Sequence, residues 1–306
     1  MTWMRRVSSR NTPSSTHTSH ASRALGALVV GAVSSWVAAT ILRGHPPGGA
    51  DRWTRSNYAG RSVTLLEGPA YAVGVVAGAL SAGAGAPAAM AGLGAGVCGI
   101  LDDLAGDSSS KGLGGHLAAA RRGELTTGAV KVAGLGVTGL VTAWTADRSR
   151  ERAGSQATGA LATLVGGAVI AGSANIVNLL DLRPGRALKV VLLLAMPLAA
   201  VGRGALVSTA TAAATVGGSL AALPDDLAGR SMLGDTGANS AGALIGTALV
   251  ARTQLPGRLL ALAAVTILTL ASERVSFTTV IESSPLLSRL DALGRPQPSF
   301  RGDPVT

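Results

Sequence analysis

Long stretches without a charged side chain set the first constraint on what this chain can become. Ala24 to Leu42, Pro69 to Leu101 and Ala153 to Leu180 contain none. Hydrocarbon offers no partner for backbone N–H and C=O groups, so such stretches cross a bilayer as helices of roughly 20 residues each. With 47% hydrophobic and only 14% charged residues, the chain reads as an all-α polytopic membrane bundle rather than a soluble domain.

Dividing the apolar runs at proline, at glycine clusters and at charges predicts about nine spans, in a range of eight to ten: 24–42, 65–84, 87–101, 125–144, 157–173, 187–202, 205–222, 237–251 and 257–272. The division inside 69–101 rests on the Gly-Ala-Pro stretch from Ala82 to Pro87. Gly74 and Gly78 lie four apart, the spacing at which small residues let helices approach closely in lipid. Met1 to Ser22 is polar and reads as a disordered tail. Arg5 and Arg6 resemble the start of an export signal, but the apolar segment that follows is far downstream and of full membrane length. The expected organisation is a polar tail over 1–22, a transmembrane bundle of catalytic type over 23–272 and a cytoplasmic tail over 273–306. The single cysteine, Cys98, lies in an apolar run and forms no intrachain disulfide.

Nine passes place 43–64, 102–124, 174–186, 223–236 and 273–306 on one face. With Glu67 at its border, that face takes 14 of the 16 acids, and only Asp147 and Glu151 lie opposite. It also holds 15 basic residues against 10 opposite, with Lys131 inside a span. The excess makes this face cytoplasmic by the positive-inside rule, although the arginines of the N-terminal tail pull the other way. The formal charge of +10 is scattered through short loops with no aromatic-studded patch, which argues against a nucleic-acid partner.

Three stretches of that face carry chemistry. ILDDLAGD sets Asp102 and Asp103 side by side, an electrostatic arrangement that asks for a cation, a proton or a basic group between them. Magnesium suits it, because it takes oxygen ligands and commonly joins one or two carboxylates to a substrate phosphate. Lys111, His116, Arg121 and Arg122 follow in the same loop, as a polyphosphate ligand would require. The residues alone leave a solvated, helix-capping loop equally open. NIVNLLD spaces Asn175, Asn178 and Asp181 by three, which puts them on one face if the segment is helical. That face could hold a polar head group or nucleoside, or satisfy a helix terminus. LGDTGANSAG places Asp235 between Gly234 and Gly237 just before an apolar span, where backbone can approach a ligand closely and a helix N-terminus favours anions. DDLAG recurs at Asp225 to Gly229, and chance recurrence in an Ala-, Gly-, Leu- and Asp-rich chain accounts for it.

ILDDLAGD with KGLGGH downstream, then NIVNLLD, then LGDTGA, resembles the ordered signature of the polyprenyl-phosphate N-acetylhexosamine-1-phosphate transferases, the superfamily of phospho-N-acetylmuramoyl-pentapeptide transferase. NYAGRSVTLLEGP, from Asn57, is similar to the family's first cytoplasmic loop. The resemblance implies a bacterial plasma-membrane enzyme of cell-wall or surface-glycan synthesis. It would move a sugar-1-phosphate from a UDP-sugar to a polyprenyl phosphate, release UMP and use Mg2+. Carried onto matching positions, it makes Asp102 and Asp103 catalytic and gives Asp235 and Asp181 to the metal. Asn57, Lys111, His116, Asn175, Asn178 and Asp181 become substrate-binding. A homodimer is compatible with it. The alternative is a non-catalytic homologue that binds polyprenyl lipid or scaffolds an envelope complex. The chain departs from the family in three ways. Pro184 stands where peptidoglycan-precursor members carry a second aspartate, no histidine follows His116, and the tail has no apolar run for a tenth helix.

Overall fold

A computed structural model describes residues 14–105, 127–200 and 206–296. Among the described residues the chain is all-α apart from one two-stranded hairpin. Each of the nine apolar runs forms a helix: α1 Ser14–Gly44, α2 Glu67–Ser81, α3 Ala86–Ala105, α4 Thr127–Arg152, α5 Ala160–Leu180, α6 Arg186–Ala199, α7 Leu206–Leu227, α8 Gly234–Arg252 and α9 Leu255–Ser272. Between α1 and α2 lie a 3-10 turn, Ala50–Trp53, and the antiparallel strands β1 Thr54–Ser56 and β2 Ser62–Thr64. Two short helices, α10 Phe277–Ser283 and α11 Pro285–Ala292, follow the bundle.

Not all nine helices have membrane length. Among the described residues, α1 (over His20–Gly44), α4 (over Gly128–Arg152), α5, α7 and α9 are long and apolar enough to cross a membrane. The expectation of nine full spans is corrected accordingly. α2 and α6 have 15 and 14 residues, because α2 stops before Gly83, at φ 89°, and α6 starts after Gly185, at φ 72°. Backbone at positive φ breaks a right-handed helix. α3 and α8 are weakened as apolar spans by their many glycines and alanines and by their terminal aspartates. The N-terminal boundary also shifts. Ser14 to Ser22, expected to be disordered, continues α1 upward. Ser, Thr and His cost only about 0.5 kcal/mol each relative to alanine in a helix already nucleated below them. The C-terminal tail carries two short helices, Phe277–Ser283 and Pro285–Ala292, within the described Glu273 to Pro296.

α8 is the hub. It packs against α2, α3, α4, α5, α6 and α7, and nearly every residue from Thr236 to Ala251 is buried. Small residues make this possible: a methyl on Gly242 would run into the Ser173 carbonyl of α5, and one on Gly99 of α3 would strike the Asp235 backbone. Gly78 sits against Gly31 of α1 in the same way and Gly74 against Ser35, as the four-residue spacing predicts. Outward faces differ sharply. Leu25, Val29, Val33, Trp36 and Ile41 form an exposed apolar stripe down α1, and Leu260, Ile267 and Leu270 do so on α9.

Helix ends sort as alternation requires. At one end meet the C-termini of α1, α3, α5, α7 and α9 and the N-termini of α2, α4, α6 and α8, stitched by an Arg43–Asp225 ion pair of 2.5 Å and a parallel bridge from Thr64 to Ser231. The opposite end is closed by one buried ion pair. Arg258 of α9 donates to Asp147 of α4 at 3.0 and 2.5 Å, to the Ala162 carbonyl at 2.8 Å and to the Val250 carbonyl at 3.0 Å. Thr163 donates to the same carboxylate at 2.7 Å.

Removing one member of this pair strands a buried charge, so Asp147→Ala should lower unfolding free energy by about 3–5 kcal/mol, while Asp147→Leu with Arg258→Met should be close to neutral. Thermal unfolding in detergent checks both.

Candidate functional site

The site is assembled around the first turn of α8. An N-terminus inside a bundle exposes amides that its own helix cannot satisfy. Asp103, near the end of α3, meets them: its carboxylate accepts from the Asp235 amide at 3.0 Å, the Thr236 amide at 2.9 Å and the Thr236 hydroxyl at 2.6 Å. The Gly234 amide faces the Asp181 carboxylate from α5. Asp103 therefore caps α8, where the positive end of its dipole favours a carboxylate.

Asp102 points the other way. Its carboxylate lies 3.1 Å from the Lys131 ammonium of α4, and the same ammonium contacts the Asp235 carboxylate. Asp102 and Asp235 thus converge on one cation from two helices. Beside them opens a cavity of about 370 Å³ between α3, α4, α5 and α9. Asp102, Lys131, Asn175 and Glu273 supply its polar lining, and Val132, Leu135 and Leu179 its apolar walls.

Asp181 caps the C-terminus of α5 and is buried with Glu67 and Asp226. Asp226 accepts from the Gly185 amide at 3.1 Å, and the Ser231 hydroxyl donates to Glu67. One oxygen of each acid, Asp181 Oδ2, Asp226 Oδ2 and Glu67 Oε1, has no hydrogen-bond partner among the described residues. Burial, and then the charges of Asp226 and Glu67, push the Asp181 carboxyl well above the usual carboxylate range. Next to it is a second cavity, of about 270 Å³, lined by Asn57, Tyr58, Asp181, Arg183 and Asp226 among others. The Arg183 guanidinium lies 4.1 Å from the centre of the Tyr58 ring, a cation–π pair.

The expected residues sort as follows. Asp102, Asp103, Asn175, Asn178, Asp181 and Asp235 come together at one end, though not in the roles foreseen for all of them. Asp103 is committed to α8 by three hydrogen bonds, so it positions Asp235 and Thr236. Asp235 turns to Lys131 and Asp102, whereas Asp181 turns to Asp226 and Glu67 and feels Asp235 more weakly. Asn175 and Asn178 belong to α5 itself, which runs past 173 to Leu180, and Asn178 donates to Asn239 of α8 at 3.2 Å. Asn57 shapes the hairpin turn by accepting from the Ala59 and Arg61 amides at 2.9 and 3.0 Å. Lys111 and His116 lie outside the described residues.

Sequence reasoning missed Lys131, Glu67 and Asp226. An ionisable residue inside an apolar span is a functional pointer by default, and Lys131 carried that signal. The second DDLAG is no echo in space: Asp225 binds Arg43 and Arg230, and Asp226 packs beside Asp181 close to the Pro184 turn.

Among the described residues no group of three or more His, Cys, Asp or Glu side chains is arranged to hold a metal ion by itself. The donor chemistry at Asp102 and Asp235 nevertheless fits magnesium, which uses one or two carboxylates and completes its shell with water and substrate phosphate. Compared with models of known protein families and with curated proteins, the chain matches none.

If Asp103 holds α8, Asp103→Ala should destabilise the protein by about 2 kcal/mol, the upper range for a lost helix cap. Asp102→Ala, whose side chain is partly exposed, should cost less. Melting curves of the two variants decide the order.

Proposed function

We propose that the chain spans the bacterial plasma membrane with its apolar helical bundle, the acid-rich end cytoplasmic, and transfers a sugar-1-phosphate from a UDP-sugar to a polyprenyl phosphate. Exposed apolar stripes on α1 and α9 support the membrane part. The observation that carries the chemistry is the meeting of Asp102, Asp235 and Lys131 at the polar head of a cavity with apolar walls. A phosphate on a hydrocarbon tail matches that mixture of surfaces: its head reaches Lys131 and its chain leaves between α4 and α9.

The second cavity, beyond Asp181, suits the polar donor. Asn57, Asp226 and the Tyr58–Arg183 pair offer hydrogen bonds and a flat face to a sugar nucleotide. In the reaction an oxygen of the lipid phosphate forms a bond to the sugar-side phosphorus. The bond from that phosphorus to the bridging oxygen breaks, and UMP leaves with the electron pair. Lys131 attracts the lipid phosphate, Asp102 orients it, and Asp103 holds α8 so that Asp235 faces both. Magnesium, held by Asp102 and Asp235, would neutralise the pyrophosphate, which lowers the barrier to the meeting of two anions.

A second reading draws on the same cluster: Lys131 already balances the two acids, so the chain could bind polyprenyl phosphate as a non-catalytic membrane partner. The readings part in one assay. Purified protein in detergent is given UDP-N-acetylhexosamines or UDP-muramoyl-pentapeptide, undecaprenyl phosphate and magnesium, and UMP is measured. Release is expected, with Asp235→Asn reducing it by about 10²-fold, as when a group that stabilises transition-state charge is lost. Lipid binding without UMP release from folded protein would leave the second reading.

A further inference from the structure

The tail from Val275 to Leu293 is amphipathic the wrong way round for water. Its polar side faces the protein. The Asp291 carboxylate accepts two hydrogen bonds from Arg186, at 2.8 and 3.0 Å, and the Thr278 hydroxyl accepts a third at 2.9 Å. Lys189 donates to the Asp291 carbonyl at 2.6 Å, and Arg295 to the Pro184 carbonyl at 2.8 Å. Arg183 pairs with Glu282 at 2.9 Å. No residue of α10 or α11 is buried.

The apolar side faces out. Leu286, Leu290 and Leu293 are 68%, 53% and 66% exposed, and their spacing of four and three aligns them on one helical face. Val275 and Val280 are exposed as well. Arg289 flanks the leucines and is exposed, placed where a long cationic side chain can reach from an apolar layer toward water. In water these leucines would add nothing to stability, and the tail would rest on ion pairs and hydrogen bonds alone.

Continuity indicates what covers them. α9 precedes the tail, its outer face exposes Leu260 and Leu270, and only residues 273–276 separate it from α10. A link this short spans at most about 17 Å, so α10 and α11 stay at the level where α9 ends.

Resting on the membrane-spanning reading, we propose that α10 and α11 form an interfacial platform, with the leucines of α11 in the acyl boundary of the bilayer and the Arg186–Asp291 pair anchoring it to α6. The platform ties the lipid surface to the Arg183–Gly185 turn beside the donor cavity and to Ser272 and Glu273, which line the lipid-side cavity. It thereby supplies a floor between the two cavities at the membrane surface.

The test uses the full chain with Cys98→Ser in vesicles of phosphatidylethanolamine and phosphatidylglycerol. Spin labels are placed singly through Leu290→Cys and Leu286→Cys on the tail, with Leu260→Cys on α9 as the reference, and power saturation with oxygen and a nickel chelate gives depth. The expected result is a lipid-exposed label at both tail positions, about 5–10 Å below the headgroups, the depth of interfacial helices, with the α9 label in lipid as well. Tail labels open to the nickel chelate while Leu260→Cys sits in lipid would overturn the platform and spare the membrane reading. All three labels in water would overturn both. Tail labels shielded from both reagents, with dipolar coupling between copies, would show a second copy of the chain instead of lipid and would also overturn it. Using two tail positions protects the test against one variant that misfolds.

Discussion

A helix that starts inside a bundle leaves amides with no partner of its own, and the way α8 resolves this organises the whole acidic end. Its first turn is held by the Asp103 carboxylate of α3, with Asp181 at the end of α5 close by. Both acids stand at α8 because α3 and α5 end at the same level, and that brings Asp102, Asn175 and Asn178 with them. Capping and site assembly are therefore one event. The small residues of α8 and its neighbours are the packing side of it, since only glycine permits the Gly99–Asp235 and Gly242–Ser173 approaches.

Gathering acids in this way has an electrostatic consequence. Carboxylates beyond those needed as caps must be neutralised by a cation or by protons. The structure does each in a different place. Asp102 and Asp235 share the Lys131 ammonium, while Asp181, Asp226 and Glu67 are buried together, each with one oxygen unpartnered among the described residues. The first group stands beside the cavity between α3, α4, α5 and α9. The second is held by the hairpin, the Gly185 turn and α7, and it forms a wall rather than a mouth.

Much of this was legible in the sequence. Apolar runs located every helix of the bundle, alternation placed every described acid at the expected end, and the Ala82–Pro87 break separates α2 from α3. What the sequence hid was pairing across long separations. Lys131 looks like a stray charge in an apolar run until α3 and α8 are brought beside it. Asp226 looks like a repeat of Asp103 until Asp181, at the end of α5, and Gly185, just before α6, come beside it. Local spacing also misjudged helix ends: α5 runs on because Asn178 finds Asn239 of α8, and α4 runs to Arg152 because Asp147 finds Arg258. The tail illustrates the same limit, since nothing local in its sequence pairs Asp291 with Arg186.

The capture of α8 by Asp103 is open to a direct chemical measurement. Asp103→Cys and Thr236→Cys, introduced together with Cys98→Ser, would place two sulfurs where the carboxylate and hydroxyl now lie 2.6 Å apart. A disulfide needs Cβ atoms within about 4.5 Å. Rapid cross-linking by a mild oxidant in native membranes, at least as complete as that of an Asn178→Cys and Asn239→Cys reference pair, is the result the account predicts. A reference pair that links while the Asp103 and Thr236 positions stay reduced would contradict it.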